Sequence, residues 1–217
     1  MLSGSTPATT LSAEQLLDRF AKGSARQRRP FIKTIPSRID DLLSLGESLL
    51  MPFDPNGDDW APGWILQVVQ EQRPESLAQL VSGKNGCWLI ADSAVGIDYT
   101  SLQTALLQQQ FEEADRITSQ VLRELAGEAA VKRGYVYFSE VAPMSGTDLV
   151  CLDRLWTVYS QGRFGFSSQA RLLGALDGRY ERLWPRIGWK NEGVWTRYPG
   201  AFTWAIDAPE GHMPLIN

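Results

Sequence analysis

The residues best suited to chemistry lie near the end of the chain, between Ile187 and Trp204. This stretch follows neither a helical nor a strand period, although it is rich in aromatic side chains. They are Trp189, Trp195, Tyr198, Phe202 and Trp204. Any one such residue is more often part of the core, where a large ring buries apolar area. Exposed aromatic rings in a loop would promote association between molecules. For the five residues as a group, a ligand cavity therefore competes with the core as an interpretation.

Basic residues accompany these rings: Arg163, Arg186, Lys190 and Arg197. A flat apolar surface bordered by cations suits a large planar ligand that carries carboxylates at its edge, such as a porphyrin. It also suits single-stranded nucleic acid, whose bases stack on aromatic rings. The formal net charge of -4 disfavours nucleic acid, because phosphate binding needs a concentrated basic face. The composition therefore favours a small anionic ligand.

Other kinds of chemistry have little support in the composition. The chain contains one histidine, His212, and two cysteines, Cys87 and Cys151. These numbers exclude a His-rich or Cys–His zinc site, so we predict no metal-ligating residues. Two distant cysteines predict free thiols in a reducing compartment. The spacing of Glu140 and Asp148 gives no reason to expect acid–base catalysis, so we predict no catalytic residues. We expect His212 to form hydrogen bonds within the C-terminal fold.

The run from Asp148 to Gln169 is the element expected to position the aromatic loop. Its first half predicts a helix, because apolar residues recur at steps of three and four. They are Leu149, Leu152, Leu155, Trp156 and Tyr159. Gly162 and Gly165 then frame a tight turn around Phe164, and Ser167 suits the N-cap of a second helix. We predict that Phe164 anchors this turn, and that Arg163 pairs with a nearby carboxylate or borders a ligand.

The rest of the chain predicts an all-α protein. Residues 99–127 read as two antiparallel helices, whose charged residues are interpreted as solvated. Those residues are Glu112, Glu113, Asp115 and Arg116. The N-terminal part predicts four or five short helices in a small bundle or repeat-like array. Arg26, Arg28 and Arg29 are interpreted there as a solvated group that Pro30 interrupts. We predict two domains, residues 1–95 and residues 96–217.

Several motifs resemble the genomes-uncoupled-four family, the tetrapyrrole-binding regulators of magnesium chelatase. The resemblance covers about residues 96–217 and is closest to the cyanobacterial type, some members of which carry an extra helical domain. The helical pair of residues 99–127 also fits. The matching stretches are Asp148-Leu149, Leu152-Asp153-Arg154-Leu155-Trp156, the run Tyr159 to Ser167, Ile187-Gly188-Trp189-Lys190, Phe202 and the run Ala208 to Pro214.

The resemblance implies a helical core shaped like a cupped hand, with long aromatic loops and a hydrophobic palm. The palm would bind protoporphyrin IX or magnesium protoporphyrin IX. The implied role is not catalytic: the protein would stimulate magnesium chelatase, in chlorophyll biosynthesis and photosynthesis, through the large porphyrin-binding subunit of that enzyme. The candidate porphyrin-binding residues are Phe138, Val141, Phe166, Trp189, Trp195, Arg197, Tyr198 and Phe202.

The alternative is a helical protein-interaction module whose aromatic residues all belong to the core and which binds no small molecule. For either role we expect a monomer that binds no nucleic acid. No apolar run approaches the ~20 residues that cross a bilayer, and residues 1–10 lack the apolar core of a signal peptide. We therefore predict a cytoplasmic protein with at most peripheral membrane association.

Overall fold

The computed structural model describes residues 10–81 and 86–215. The prediction that residues 1–10 lack the apolar core of a signal peptide concerns residues that, apart from residue 10, lie outside these ranges. The described residues are mostly helical, which confirms the predicted class. The helices of the first part are α1 (Ala13–Lys22), α2 (Ala25–Ser37), α3 (Ile39–Leu43), a 3-10 helix (Gly46–Leu49), α4 (Trp60–Gln72) and α5 (Pro74–Leu80).

The second part contains seven further helices and one small hairpin. The helices are α6 (Thr100–Leu107), α7 (Phe111–Ala126), α8 (Glu128–Arg133), α9 (Phe138–Val141), α10 (Gly146–Val158), α11 (Phe166–Ala175) and α12 (Tyr180–Arg186). Strands β1 (Lys190–Asn191) and β2 (Val194–Trp195) pair antiparallel, with Lys190 opposite Trp195. The stretch without a sequence period thus begins with a two-stranded hairpin that the sequence did not predict.

Helix α2 corrects two predictions about the arginine group. The helix continues through Pro30, which does not interrupt it. Arg28 is buried and not solvated, and its guanidinium pairs with Asp59 through contacts that include Nη2 to Oδ2 at 2.9 Å. Asp59 also accepts a hydrogen bond from the Ala61 amide as the N-cap of α4. The pair therefore ties α2 to the start of α4, and its burial requires that both charges be matched.

A continuous hydrophobic core joins the two parts of the chain across residue 95. Gln67 on α4 donates to the Leu106 carbonyl at 3.0 Å and to the Tyr159 carbonyl at 2.8 Å, so one buried amide connects α4 to α6 and to the end of α10. Gly63 lets α4 approach α10 closely, because a β-carbon at that position would lie 2.2 Å from the Val158 carbonyl oxygen. The division at residue 95 stays a prediction about folding units.

The helix–turn–helix arrangement that positions the aromatic loop is present. Helix α10 begins after the N-cap Ser145, and α11 follows the turn that contains Phe164. The predicted cap is corrected, because Gly165 and not Ser167 occupies the N-cap of α11. Instead Asp153 Oδ1 on α10 accepts a hydrogen bond from the Ser167 amide at 2.9 Å. A carboxylate from the preceding helix thus satisfies an amide of the first turn.

In the described ranges, 10–81 and 86–215, no helix combines the length and apolar character that a membrane span requires.

Candidate functional site

The aromatic turn between α10 and α11 belongs to the core. Phe164 is fully buried, with its ring centre 5.6 Å from that of Phe111 and 6.5 Å from that of Trp156. Phe166 is partly buried and packs against the same core. The predicted anchoring role of Phe164 is therefore confirmed, and the turn is packed into the hydrophobic core.

Trp189 and His212 form the inner layer of that loop. The Trp189 indole donates to the His212 carbonyl at 2.7 Å. The His212 ring is 2% exposed, with Nδ1 2.6 Å from the Ile187 carbonyl oxygen and Nε2 3.3 Å from the Thr203 amide. These partners require the tautomer with the proton on Nδ1, and burial lowers the pKa of His212. The predicted role of His212 in hydrogen bonds within the C-terminal fold is confirmed.

Three rings in contact, Tyr198, Phe202 and Trp204, form the second layer, which we call the Tyr198 cluster. The Tyr198 ring stands edge-on to Phe202 at 5.6 Å and to Trp204 at 5.9 Å. Phe202 and Trp204 are stacked at 5.4 Å, and Phe202 lies 4.8 Å from the ring of His212. Phe202 is 9% exposed and Tyr198 is 39% exposed. The cluster thus presents the accessible Tyr198 ring beside the buried Phe202 and the partly buried Trp204.

Asp115 corrects the prediction that the charged residues of α7 are all solvated. Its side chain is fully buried. Oδ2 accepts a hydrogen bond from the Tyr198 hydroxyl at 3.2 Å, and Oδ1 accepts one from the Leu215 amide at 2.6 Å. Burial raises the pKa of Asp115 to about 6, and burial together with this neighbouring carboxylate raises the pKa of Tyr198 to about 12. Asp115 therefore supports the Tyr198 cluster from below.

A second group, which we call the hairpin cluster, consists of Tyr180, Trp184, Lys190 and Trp195; Tyr180 and Trp195 are exposed, and the other two are partly buried. The rings of Trp184 and Trp195 are 4.8 Å apart, and Tyr180 lies 6.2 Å from Trp184. The Lys190 ammonium stands 5.1 Å from the Trp195 ring centre and 5.8 Å from that of Trp184. Trp195 is 55% exposed. Cation–π contact therefore places a positive charge directly beside an accessible indole.

The four cations predicted beside the rings differ in their roles. Arg163 is turned towards the protein. Its guanidinium donates to the Ala208 carbonyl at 2.6 Å, and its side chain is half-buried. It pairs with neither Asp148 nor Asp153. Arg186 and Arg197 are exposed. The fourth cation, Lys190, lies beside the rings of Trp195 and Trp184.

The segment around α9 is a third exposed group. Phe138 is 95% exposed and Val141 is 43% exposed. The Arg133 guanidinium lies 4.8 Å from the Tyr135 ring centre and 3.9 Å from that of Tyr137. Phe138 itself makes no ring contact within the part of the chain that the structure describes. The structure thus groups Tyr198 with Phe202, and places Trp195 beside Lys190, but does not join Phe138 to either group.

The hairpin cluster has side chains suited to contact with a flat anionic ligand, because an accessible indole and an ammonium lie side by side there. Exposed rings supply faces for stacking, and Lys190 lies among them. Removing water from such faces is favourable, because the burial of apolar surface lowers the free energy. Apolar walls with a few placed polar groups are typical of small-molecule sites. The residues present therefore fit a planar ring with carboxylates at its edge.

A family model described as GUN4-like matches residues 92–217. The chain belongs to the GUN4-like family.

Curated relatives of this family member share the matching region. The Ycf53-like protein of Synechocystis sp. is 51% identical over 125 residues, which cover 58% of this chain and 54% of the relative. The tetrapyrrole-binding protein, chloroplastic, of Arabidopsis thaliana is 37% identical over 125 residues, covering 54% of this chain and 47% of the relative. The chain thus spans about half the length of these two relatives.

Solved structures of GUN4 proteins resemble the same part of the chain. GUN4 from Chlamydomonas reinhardtii superposes with a TM-score of 0.56 at 40% identity and covers 59% of this chain and 86% of the other. The ligand-free structure of Arabidopsis thaliana GUN4 gives a TM-score of 0.50 at 36% identity, with 58% and 87% covered. These likenesses support the helical fold of the GUN4-like part.

Sequence reasoning missed three contributors in this GUN4-like chain. Trp184 and Tyr180 lie four residues apart on α12, a spacing that places them on one helix face and that the sequence displayed. Asp115 offered no comparable signal, since its helix position reads as solvated. Its partners Tyr198 and Leu215 follow 83 and 100 residues later in the chain.

Proposed function

We propose that this protein binds a tetrapyrrole, protoporphyrin IX or magnesium protoporphyrin IX, on its exposed aromatic surface, and that it is not an enzyme. The observation that carries the proposal is the set of accessible rings beside Lys190 in a chain of the GUN4-like family. The name of the Arabidopsis relative, a tetrapyrrole-binding protein, agrees with it.

Two sets of residues would have different roles toward the ring. Trp195, Tyr198 and Phe138, which are more than a third exposed, would cover its faces and exclude water. Val141 and the edge of Phe202 would extend this apolar surface. Trp189 and Phe166, which are only partly exposed, would support it from within. For comparison, the stacking of a nucleic-acid base, which is also a planar ring, on an aromatic side chain contributes about 1–3 kcal/mol.

Cations would orient the ligand. Arg197 is exposed near Tyr198 in the chain, and Lys190 is held beside Trp195. Their charges would meet the two propionates of a porphyrin, which are ionised at neutral pH. Because exposed ion pairs are screened by salt, we expect these contacts to select the orientation of the ring more than to supply its affinity.

The proposed role of the complex is to deliver porphyrin to magnesium chelatase and to stimulate magnesium insertion in chlorophyll biosynthesis. The partner would be the large porphyrin-binding subunit of that enzyme. A porphyrin bound on an accessible surface remains available to the partner subunit, and the exposed side chain of Phe138 would contact that subunit. We propose that the protein acts as a monomer and binds no nucleic acid.

The direct test is a titration of deuteroporphyrin IX, a soluble dicarboxylic porphyrin, followed by the porphyrin absorption band. Absorbance is preferable to tryptophan emission, because the chain has eight tryptophans and a variant at Trp195 removes one. We expect saturable binding that W195A weakens about tenfold. The matched control is M51A, which alters a side chain 77% exposed in the N-terminal part. Absence of saturable binding at micromolar protein would rule out the proposed ligand class.

A second assay addresses the partner. Purified chelatase subunits with limiting porphyrin should insert magnesium faster when this protein is added, and W195A should stimulate less than M51A. The alternative, a helical interaction module, expects every aromatic residue in the core, whereas Trp195 is 55% exposed. Stimulation that is equal for wild type and W195A, without porphyrin binding, would favour that alternative.

A further inference from the structure

Asp115 connects three segments of the chain beneath the aromatic surface. It lies on α7, while Tyr198 belongs to the loop after the hairpin and Leu215 to the C-terminal segment. One carboxylate oxygen accepts from the Tyr198 hydroxyl at 3.2 Å and the other from the Leu215 amide at 2.6 Å. A single buried side chain therefore holds two distant segments against α7.

The orientation of the exposed ring depends on this contact. Tyr198 lies in a loop outside any helix or strand, so backbone ladders do not fix it. Its ring stands edge-on to Phe202 and Trp204 at interplanar angles of 78° and 83°. A hydroxyl held at one end and two rings packed along its sides restrict the Tyr198 side chain to one orientation. Such pre-organisation lowers the ordering cost of binding.

Burial of the ionised Asp115 carboxylate costs folding free energy. Within the described residues no lysine or arginine forms an ion pair with it: Arg116, on the same helix, pairs with Glu113 at 2.6 Å. Burial raises the pKa of the carboxyl and Glu112 raises it further, while the hydrogen bonds from Leu215 and Tyr198 lower it. A buried carboxylate without a cation is generally unfavourable. Its presence here points to a role other than stability.

We propose that Asp115 is a positioning residue that holds the Tyr198 ring and the C-terminal segment in the arrangement that receives the planar ligand. This inference rests on the proposed tetrapyrrole function. Asp115 is buried and would not touch the ligand. It acts through Tyr198 and through the segment that contains His212 and Leu215.

Four variants test the proposal with deuteroporphyrin IX as the probe. D115A removes both hydrogen bonds and should weaken binding about tenfold. D115N should bind within about threefold of wild type, since an amide oxygen can accept from Leu215 while its NH₂ donates to the Tyr198 oxygen. Y198F keeps the ring but loses the hydroxyl, and should fall between them. E112Q changes an exposed neighbour on the same helix and should bind as wild type.

A ligand-free measurement separates this proposal from the proposed function. The ¹H–¹⁵N resonance of the Leu215 amide should titrate with a midpoint near pH 6 in wild type. The midpoint should lie somewhat lower in E112Q, which removes the charge of Glu112, and D115N should lose this transition. A Leu215 amide that does not respond in wild type would overturn the contact. Wild type that binds no porphyrin would overturn the proposed function, while the Leu215 titration would still decide whether Asp115 holds the segment.

The decisive comparison is between D115A and D115N. Rescue by the amide, with D115A still folded by circular dichroism, supports positioning through hydrogen bonds. Equal affinity of wild type and folded D115A would overturn the proposal. Should D115A fail to fold, Y198F takes its place, and wild-type affinity in Y198F would likewise contradict a role through the Tyr198 hydroxyl.

Discussion

Gly63 on α4 lies against the carbonyl of Val158 on α10, so closely that a β-carbon at residue 63 would stand 2.2 Å from that oxygen. The contact joins the N-terminal part of the chain to the helix that carries the aromatic turn. Helix backbones can approach this closely only where a side chain is missing. The surface proposed for the ligand is therefore built on a base to which the N-terminal helices contribute.

The first prediction concerns this contact. G63A should destabilise the protein by about 1–3 kcal/mol, because one of two packed backbones must move. The matched control is G174A on α11, where an added β-carbon meets nothing within 4 Å. There the helix propensity of alanine should stabilise by up to about 1 kcal/mol. Urea unfolding of both variants gives the comparison. Equal stability of G63A and wild type would contradict the close packing.

The second prediction separates exposed from buried phenylalanine. F138A should leave the free energy of unfolding within about 0.5 kcal/mol, since the side chain is 95% exposed. It should weaken porphyrin binding about fivefold, because the loss of an aromatic contact worth about 1 kcal/mol changes the Kd by that factor.

The control for the second prediction is F164A, which empties a fully buried site and should cost about 3–5 kcal/mol of stability. Thermal unfolding and porphyrin titration are measured on both variants. A strongly destabilised F138A would show that Phe138 packs within the protein, and unchanged porphyrin affinity would remove it from the site.

The third prediction concerns the lysine beside the indole rings. K190Q should weaken porphyrin binding about threefold to tenfold at low ionic strength, and the difference from wild type should shrink as salt is added. K132Q is the control, because Lys132 is a lysine with an 80% exposed side chain on α8. Titrations at two salt concentrations give both values. A K190Q affinity that matches wild type at low salt would exclude Lys190 from ligand recognition.

The fourth prediction is a pH dependence of stability at Asp115. Folding raises the pKa of this carboxyl to about 6, from about 3.9 in an unfolded chain. The folded state therefore binds more protons between these values, so its stability should fall as pH rises from about 4 to about 6 and then level off. Since each pKa unit is worth about 1.4 kcal/mol, the loss reaches about 3 kcal/mol.

D115N serves as the reference for the fourth prediction, because it has no proton to release. Urea unfolding at pH 4, 5, 6 and 7 should show wild type losing stability relative to D115N across this range. His212, whose pKa burial lowers, is present in both proteins and cancels in the difference. A constant difference between the two proteins would show that the Asp115 carboxyl titrates normally.

Local features of the chain were predictable because they depend on residues close together in sequence. The apolar spacing of α10, the glycines of the aromatic turn and the buried Phe164 follow from helix period and turn chemistry. The GUN4-like motifs are local in the same sense, so the sequence alone indicates the family. The hairpin at Lys190–Trp195 was missed, because two-residue strands are too short to show alternation.

The arrangement of the candidate site depended on contacts between distant residues. Arg163 was expected to pair with a nearby carboxylate or to border a ligand, but the fold placed the Ala208 carbonyl, 45 residues along the chain, within reach of its guanidinium. Asp115 looked solvated until Tyr198 and Leu215 packed over it. Residue type and helical position set what each side chain is able to bond, whereas burial and partners arise only when separate segments are brought together. The tertiary structure therefore decided which aromatic rings remain open to solvent and which support them.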